Sequence, residues 1–251
     1  MADPSTISLA IETSSRRGSI AVGRGGDMLE AVDLPEARRH DVMLTPAIAA
    51  LFKRHGLSAA DLDEVYISVG PGSFTGLRVG VATVKALALA LSARIVAVAT
   101  LDVLAAAAPP PPPDRPRQRL AIGLNLKKGT LYSGVFAREA EDGGAAGWRP
   151  ITEPAVRTFD DLLSNAGRPL AILADPLPPE ADALPPDVHR LDAALAIPRA
   201  STLWSIGHRL AREGRFTDPA ALTPLYARPP EAVQLWQQRR ARAAEGPSQG
   251  S

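Results

Sequence analysis

The side chains best suited to phosphate chemistry follow the first apolar segment of the chain. Ile7 to Ile11 has the composition of a buried strand, and Glu12 to Gly18 is predicted to be the polar turn after it. Hydroxyl groups in such a turn can donate hydrogen bonds to a phosphate, so Thr13, Ser14 and Ser15 are candidate donors.

Other kinds of catalytic centre have less support. The chain has no cysteine, which excludes disulfides, thiolate nucleophiles and zinc–thiolate sites. None of its histidines has a second histidine three to five residues away, the spacing of a metal-binding pair on a helix. We therefore predict neither a metal nor a cofactor. A Ser/His/Asp triad stays open, because its members need not be close in the sequence. The four histidines are His40, His55, His189 and His208.

Composition gives no sign of a membrane or a strongly charged target. The chain has 28 basic and 27 acidic residues, and a net charge of +1 is no general reason to bind nucleic acid or an anionic membrane directly. The longest apolar stretch, Val79 to Leu91, contains Lys85 and is shorter than the ~18–20 residues of a membrane span. Met1 to Thr6 lacks the basic region of a signal peptide. We expect a cytoplasmic protein that does not bind membranes.

The most specific segment runs from Gly70 to Gly80 and reads GPGSFTGLRVG. It follows an apolar strand, Val65 to Val69, and opens a helix predicted from Leu77 to Leu91 that is apolar nearly all the way round. Such a helix is either central in a core or covered by a partner, and a lobe of ~100 residues has little room for a central helix. We predict a partner surface here, with a second helix, Asp41 to His55, beside it.

One face of this helix carries small and aliphatic residues at helical spacing. Gly76 and Gly80 are four residues apart, so both lie on one face, where a second helix could approach closely. Arg78 and Lys85 would lie at the rim of the contact. The alternative is a helix buried within its own lobe. The predicted interface residues are Gly76, Leu77, Gly80, Val84, Leu87 and Leu91.

The chain divides at five consecutive prolines, Pro109 to Pro113, which stop regular structure. We predict one lobe over residues 1–108, a linker over 109–116, a second lobe over 117–228, and a C-terminal helix with a flexible tail over 229–251. Shifting Leu9–Gly23 by 111 positions places it on Leu120–Gly134, with strand, polar turn and strand in both copies. The repeat predicts two related lobes, each opening with a β-hairpin.

Two such lobes resemble the α/β fold of the actin-like ATPase (ASKHA) superfamily. A closer resemblance, over about residues 7–228 and strongest in the first half, is to the TsaB (YeaZ) family. The motifs that carry it are Ile11-Glu12-Thr13-Ser14, Arg39-His40, the Gly70–Gly80 segment, Thr100-Leu101, Asn125–Tyr132 and Pro224-Leu225-Tyr226-Ala227-Arg228.

The resemblance implies a role without catalysis. Members of the family are dimerisation and activating subunits of the complex that transfers a threonylcarbamoyl group to the tRNA adenosine beside the anticodon. The implied partners are the catalytic paralogue TsaD and the ATPase TsaE, with a homodimer when the chain is alone and tRNA contacted only through the complex.

Several positions depart from what an actin-like ATPase needs. The superfamily's counterpart of Glu12 orients a metal, whereas here Glu12 is either that acid or a plain turn carboxylate. A second phosphate turn is expected after the strand Leu170–Leu173, but Ala174-Asp175-Pro176 is a poor cradle, because proline lacks an N–H and aspartate repels phosphate. Asn125 and Thr130 stand where the family has acids.

We therefore interpret Glu12, Thr13 and Ser14 as a vestigial phosphate turn. The alternative function is an enzyme acting alone, either an actin-fold phosphotransferase or a peptidase. The segment Glu231–Glu245 is predicted to be a helix, and its three arginines make it either a plain surface helix or a basic arm near tRNA.

Overall fold

The structure is a computed structural model that describes residues 3–35, 40–113, 118–126, 129–139, 147–174, 176–177, 184–228 and 240. Within the helix that starts at His40, the side chains of His40 and Asp41 are not described. Arg39, Lys127, Lys128, Asp175 and the predicted helix Glu231–Glu245 lie outside the described residues, apart from Arg240.

The first half of the chain forms a five-stranded mixed sheet with the order β3-β2-β1-β4-β5. The antiparallel part pairs β1 with β2 and β2 with β3, and the parallel part pairs β1 with β4 and β4 with β5. Every residue of β1 is buried, as expected for a strand covered on both faces of the sheet. The strands are β1 (Ile7–Glu12), β2 (Ser19–Arg24), β3 (Asp27–Asp33), β4 (Leu62–Gly70) and β5 (Arg94–Ala99); the helices of this half are α1 (His40–Arg54), α2 (Phe74–Leu91) and α3 (Thr100–Ala107).

The second half repeats this topology. Its sheet has the order β11-β10-β6-β7-β8, with β9 also paired to β7, and its hairpin and parallel pairs follow the same plan. The prediction of two lobes that each open with a β-hairpin is confirmed. The elements are β6 (Arg119–Leu126), β7 (Thr130–Glu139), β8 (Gly147–Pro150), β9 (Ala155–Thr158), α4 (Phe159–Asn165), β10 (Leu170–Ala174), β11 (Val188–Arg190) and α5 (Ala200–Arg212).

The predicted alignment of the two hairpins, with an offset of 111 positions, is wrong for their second strands. Glu12 pairs with Ser19 at the end of the first hairpin, and an offset of 111 would pair Gly123 with Thr130. Gly123 instead pairs with Ser133, because the second hairpin continues for three more residue pairs before its turn. The second strands therefore correspond at an offset of 114, and the sequence match there reflects shared glycine and aliphatic composition.

Each sheet is covered by a helix from the other half of the chain. Helix α3 packs on the second sheet, where Leu101 and Leu104 join the core around Phe136. Helix α5 packs on the first sheet, where Trp204 lies against Gly23 and its Nε1 donates to Ser8 Oγ over 2.8 Å. The division at residues 109–116 stays a prediction. Each of the two cores contains residues from both sides of it.

Helix α2 is longer than predicted. It begins at Phe74 rather than Leu77, because Ser73 caps it by accepting the Gly76 N–H, which leaves Pro71 to Ser73 as the turn. By length and mean hydropathy, 1.5 over 18 residues, α2 could span a bilayer, a test that core helices of soluble proteins also pass. Its packing against β4 identifies it as an element of the first lobe.

Candidate functional site

The predicted phosphate turn leaves the C-terminal end of β1 and is closed to solvent. Glu12 and Thr13 have no exposed surface and Ser14 is buried, so none of these three side chains is presented to a ligand. Ser15 is partly exposed, but its hydroxyl donates to the carbonyl oxygen of Arg17 over 2.8 Å. A turn does follow β1, as the sequence predicted, but no feature of the sequence indicated that Glu12, Thr13 and Ser14 are buried.

The first turn of α2 is what covers this segment. The Ser73 N–H donates to the carbonyl oxygen of Ser14 over 2.6 Å. A Cβ atom added at Gly72 would lie within 3.0 Å of the Ser14 carbonyl oxygen, and one at Gly76 within 3.0 Å of the Thr13 carbonyl oxygen. Gly72 and Gly76 are thus needed for α2 to pack on the turn of its own chain.

Glu12 is the acidic group at the centre of this contact. Its Oε1 accepts the Ser14 N–H over 2.6 Å. Burial raises the pKa of the Glu12 carboxyl above its ordinary value, and the hydrogen bond from Ser14 only partly opposes that shift. Among the described residues, Glu12 Oε2, Thr13 Oγ1 and Ser14 Oγ have no hydrogen-bond partner.

These residues do not fit a nucleotide phosphate in the way an actin-like ATPase requires. A phosphate needs free N–H and O–H donors, but Glu12 already takes the Ser14 N–H, and the hydroxyls of the turn are buried or used locally. In the second lobe, the segment after β10 is tied back by Asn125, whose Nδ2 donates to the carbonyl oxygen of Pro176 over 3.1 Å.

The described histidine side chains do not form a catalytic pair. His55 Nε2 lies 2.8 Å from Glu30 Oε2, and His208 stacks on Trp204 with the ring centroids 5.1 Å apart. The buried Nε2 of His189 has no hydrogen-bond partner in the described part of the chain. Over the same residues, no three histidine, aspartate or glutamate side chains are grouped so that they could hold a metal ion.

The predicted interface stripe of α2 faces inward, which corrects the sequence interpretation for four of its six residues. Gly76, Leu77, Gly80 and Val84 are buried in the core of the first lobe, and a Cβ at Gly80 would collide with Thr13 Oγ1. Leu87 and Leu91, the other two predicted interface residues, are partly buried against the same core.

The opposite face of α2 is apolar and exposed. Leu89 exposes 80% of its surface, and Ala82, Ala86 and Ala90 are exposed with it. On the adjoining helix α1, Val42 is 62% exposed, and Pro46 and Ala49 are exposed too. An apolar surface on these two helices is therefore present, but it lies on the face of α2 opposite Gly76 and Gly80.

Three side chains form an exposed cluster at the start of this outer face. The Cζ atom of Arg78 lies 4.1 Å from the centroid of the Phe74 ring, and its Nε donates to the Tyr226 hydroxyl over 3.2 Å. The Phe74 and Tyr226 rings are 5.1 Å apart, centre to centre. We call Phe74, Arg78 and Tyr226 the Arg78 cluster. Sequence reasoning placed Arg78 at a rim but missed its two aromatic neighbours.

Tyr226 reaches α2 because the chain returns to the first lobe after α5. We call Leu222–Arg228 the C-terminal strap. Leu222 is buried in the first core, and the Leu225 N–H donates to the carbonyl oxygen of Val69 over 2.7 Å. At its far end the Arg228 guanidinium donates to Thr130 Oγ1 of the second hairpin. The motif at 224–228 signalled this segment, but nothing in the sequence placed it against α2.

Comparisons with known proteins agree with this architecture. The family model of TsaD, tRNA N6-adenosine threonylcarbamoyltransferase, matches residues 34–162, just over half of the chain. A solved structure from Pseudomonas aeruginosa, described as an uncharacterized protein with similarity to peptidase YEAZ, superposes with a TM-score of 0.74 at 24% identity, over 89% of this chain and 100% of that one. YeaZ from the same species gives 0.69 at 25% identity, over 88% and 99%.

Curated relatives match over a shorter stretch. The tRNA threonylcarbamoyladenosine biosynthesis protein TsaB of Bacillus subtilis is 34% identical over 80 residues, 32% of this chain and 35% of that protein. The Escherichia coli TsaB is 32% identical over 81 residues, also 32% and 35%. A Mycobacterium tuberculosis protein named as uncharacterized is 40% identical over 81 residues, 31% of this chain and 38% of its own length.

The aligned part thus spans little more than a third of these curated relatives. The family match, the structural likeness over 89% of the chain and the duplicated strand order give the chain an actin-like ASKHA fold. The chain belongs to the TsaD family, in its TsaB (YeaZ) branch.

Proposed function

We propose that this chain is a non-catalytic, activating subunit in the formation of threonylcarbamoyladenosine in tRNA. It binds the catalytic paralogue TsaD through the outer face of α2 and the adjoining face of α1, with the ATPase TsaE as a further partner. It meets tRNA only within that complex, and it forms a homodimer when alone. The names of the curated relatives support the pathway.

The observation that carries the proposal is the two-sided use of α2. Its inner face fills the turn where an actin-like ATPase would hold phosphate, with Gly76 against the Thr13 carbonyl oxygen. Its outer face leaves Leu89 in solvent at 80% exposure. A helix that closes a catalytic turn and also exposes an apolar face suits a binding subunit better than an enzyme acting alone.

The outer face is apolar and can contribute binding energy to a complex. Burying one leucine or valine side chain contributes ~1.5–3 kcal/mol, and a standard interface buries about 1,200–2,000 Å² in total. Leu89 of α2 and Val42 of α1 are both more than half exposed. Covering them together with the neighbouring alanines would offset part of the entropic cost of association.

Binding of the purified chain to the purified cognate TsaD, measured by calorimetry, tests the partner directly. We expect a complex at micromolar concentration or tighter. The same preparations test the alternative of an enzyme acting alone, since this chain is expected not to hydrolyse ATP at an ordinary enzymatic rate. Turnover above about 1 s⁻¹ that is lost in Thr13→Ala would favour the phosphotransferase instead.

A further inference from the structure

The Arg78 cluster is organised before any partner arrives. Arg78 is exposed, yet its guanidinium is held from two sides, by the face of Phe74 at 4.1 Å and by the Tyr226 hydroxyl at 3.2 Å. Stacking and a hydrogen bond through Nε restrict the rotation of the guanidinium plane. A side chain restrained in this way loses less conformational entropy when it binds a ligand.

The charge on Arg78 is not neutralised within the described part of the chain. None of its hydrogen bonds or ion pairs there involves a carboxylate, and Nη1 and Nη2 make no hydrogen bond. A guanidinium fork binds a carboxylate with two parallel hydrogen bonds, which is stronger and more directional than a single contact. The cluster therefore has the chemistry of a receptor for a carboxylate.

Charges on the surrounding surface indicate where that carboxylate comes from. Helix α2 contains Arg78 and Lys85 and no acidic residue. On α1, the charged side chains that the structure describes are Lys53 and Arg54. Helix α2 of a second copy would bring Arg78 and Lys85 and no carboxylate against Arg78, whereas a different protein can provide an acidic side chain.

Resting on the proposed function, we infer that the Arg78 cluster docks an aspartate or glutamate side chain of the protein partner, and so makes this surface favour a different protein over a second copy. Buried arginine and aromatic residues commonly dominate the binding energy of protein interfaces. The aliphatic face continues directly from the cluster, since Ala82 and Ala86 follow Arg78 at four-residue steps and Leu89 lies beyond them.

A protein occupant fits better than a nucleic acid. Nucleic-acid affinity depends on several phosphate contacts, and Lys85 is the only other cation on α2. The C-terminal strap completes the site, because it delivers Tyr226 and is itself fixed by the hydrogen bond from Leu225 N–H to Val69. Tyr226 is then a positioning residue that acts through Arg78.

The test is the dissociation constant for purified cognate TsaD, measured by calorimetry at low and high salt. Arg78→Lys keeps the charge but removes the fork, and we expect about tenfold weaker binding. Tyr226→Phe keeps the ring but removes the hydrogen bond to Arg78 Nε, which leaves the guanidinium held by Phe74 alone, and we expect a few-fold loss. The matched control is Arg190→Lys on β11, the edge strand of the second sheet, which should bind like the wild type. All variants should keep the wild-type circular dichroism spectrum and melting temperature.

A charge swap sharpens the assignment. Arg78→Glu should weaken TsaD binding more than Arg78→Lys, and an Asp→Lys or Glu→Lys change at one position of the partner should restore it. The difference between wild type and Arg78→Glu should shrink at high salt, because screening weakens the ion pair. The affinity of the homodimer, measured by sedimentation, should not fall in Arg78→Lys.

Several results would overturn the inference. Wild-type affinity for TsaD in Arg78→Lys, beside lost affinity in Leu89→Asp, would remove the carboxylate contact and leave the proposed function standing. An equal loss in the homodimer would assign the cluster to a second copy. Unchanged TsaD binding with weaker retention of tRNA by the complex would assign it to nucleic acid. No binding of TsaD by the wild type would remove the proposed function as well.

Discussion

At the scale of single residues, Glu12 is an acid that the fold closes off from solvent. The carboxyl lies at the end of β1, and the first turn of α2 covers this segment. Within the described part of the chain the carboxyl accepts one hydrogen bond, from the Ser14 N–H, and its Oε2 has no partner. Burial then favours the neutral acid over the carboxylate.

Glu12→Gln should therefore stabilise the protein at neutral pH. Below the ordinary carboxyl pKa of 4.5 the acid is protonated in both states, so the substitution changes little. Above that pH the unfolded chain releases its proton while the folded chain retains it, because burial raises the folded pKa, and wild-type stability falls. The glutamine variant avoids this loss. Urea unfolding of both proteins at pH 4 and pH 7.5 measures the difference, and a variant less stable at pH 7.5 would mean that the fold needs the carboxylate.

Gly76 is the residue whose role the structure changes most. We expect Gly76→Ala to lower the free energy of unfolding by about 2–3 kcal/mol, since the new methyl group would overlap the Thr13 carbonyl oxygen. Gly26→Ala is the matched control, because a Cβ there meets nothing within 4 Å, and its effect should stay within about 0.5 kcal/mol. Chemical denaturation measures both. If Gly76→Ala were as stable as Gly26→Ala, the glycine would face outward as the sequence suggested.

At the scale of elements, the sequence predicted where helices lie along the chain better than which face of each helix is buried. Helix α1 was predicted to within one residue at each end, because its apolar spacing and Gly56 define its limits. The inward face of α2 could not be predicted, since aliphatic residues occur on both faces and no polar stripe distinguishes them. The contact that decides it, with Thr13, lies about 60 positions away in the sequence.

In the candidate site, too, the sequence predicted positions along the chain but not the contacts between distant residues. Burial of Glu12 and the position of Tyr226 both depend on contacts between distant parts of the chain, which local spacing does not encode. Arg157 would be a poor control for a surface substitution, because its guanidinium donates to the carbonyl oxygens of Ser133 and Glu153. Arg190 is the better control.

The outer face of α2 should be sensitive to charge without being needed for folding. Leu89→Asp should abolish binding to TsaD at micromolar concentration and weaken the homodimer, since a carboxylate in an apolar contact keeps none of its hydration. Leu29→Asp on the edge strand β3 is the matched control, because Leu29 is also exposed, at 38%. Both variants should keep the wild-type circular dichroism spectrum. Wild-type binding by Leu89→Asp would place the interface elsewhere.

At the scale of the whole molecule, the two halves share their cores. The first sheet buries Tyr66 and Val96 under α5, and the second sheet buries Phe136 under α3. A strand order repeated in both lobes points to duplication of one unit, but the exchange of helices makes the folded units interdependent.

Residues 1–113 expressed alone should not unfold cooperatively. This fragment lacks α5, so the apolar surface around Tyr66 and Val96 would be exposed to water, and it would keep α3 without the sheet that α3 covers. Thermal unfolding followed by circular dichroism, beside the full chain, measures this. A sharp transition close to that of the full chain would restore the division near residue 109 as a boundary between independent folding units.

The central claim, that this chain acts through its surface and not through its turn, is tested most directly by threonylcarbamoyladenosine formation in a reconstituted reaction. The reaction would contain cognate TsaD, TsaE, tRNA and the threonylcarbamoyl donor, with wild type, Glu12→Gln, Leu89→Asp or no added chain. We predict that wild type and Glu12→Gln support modification equally, while Leu89→Asp gives no more product than the reaction without the chain. Loss of modification in Glu12→Gln, with its binding to TsaD intact, would contradict the account.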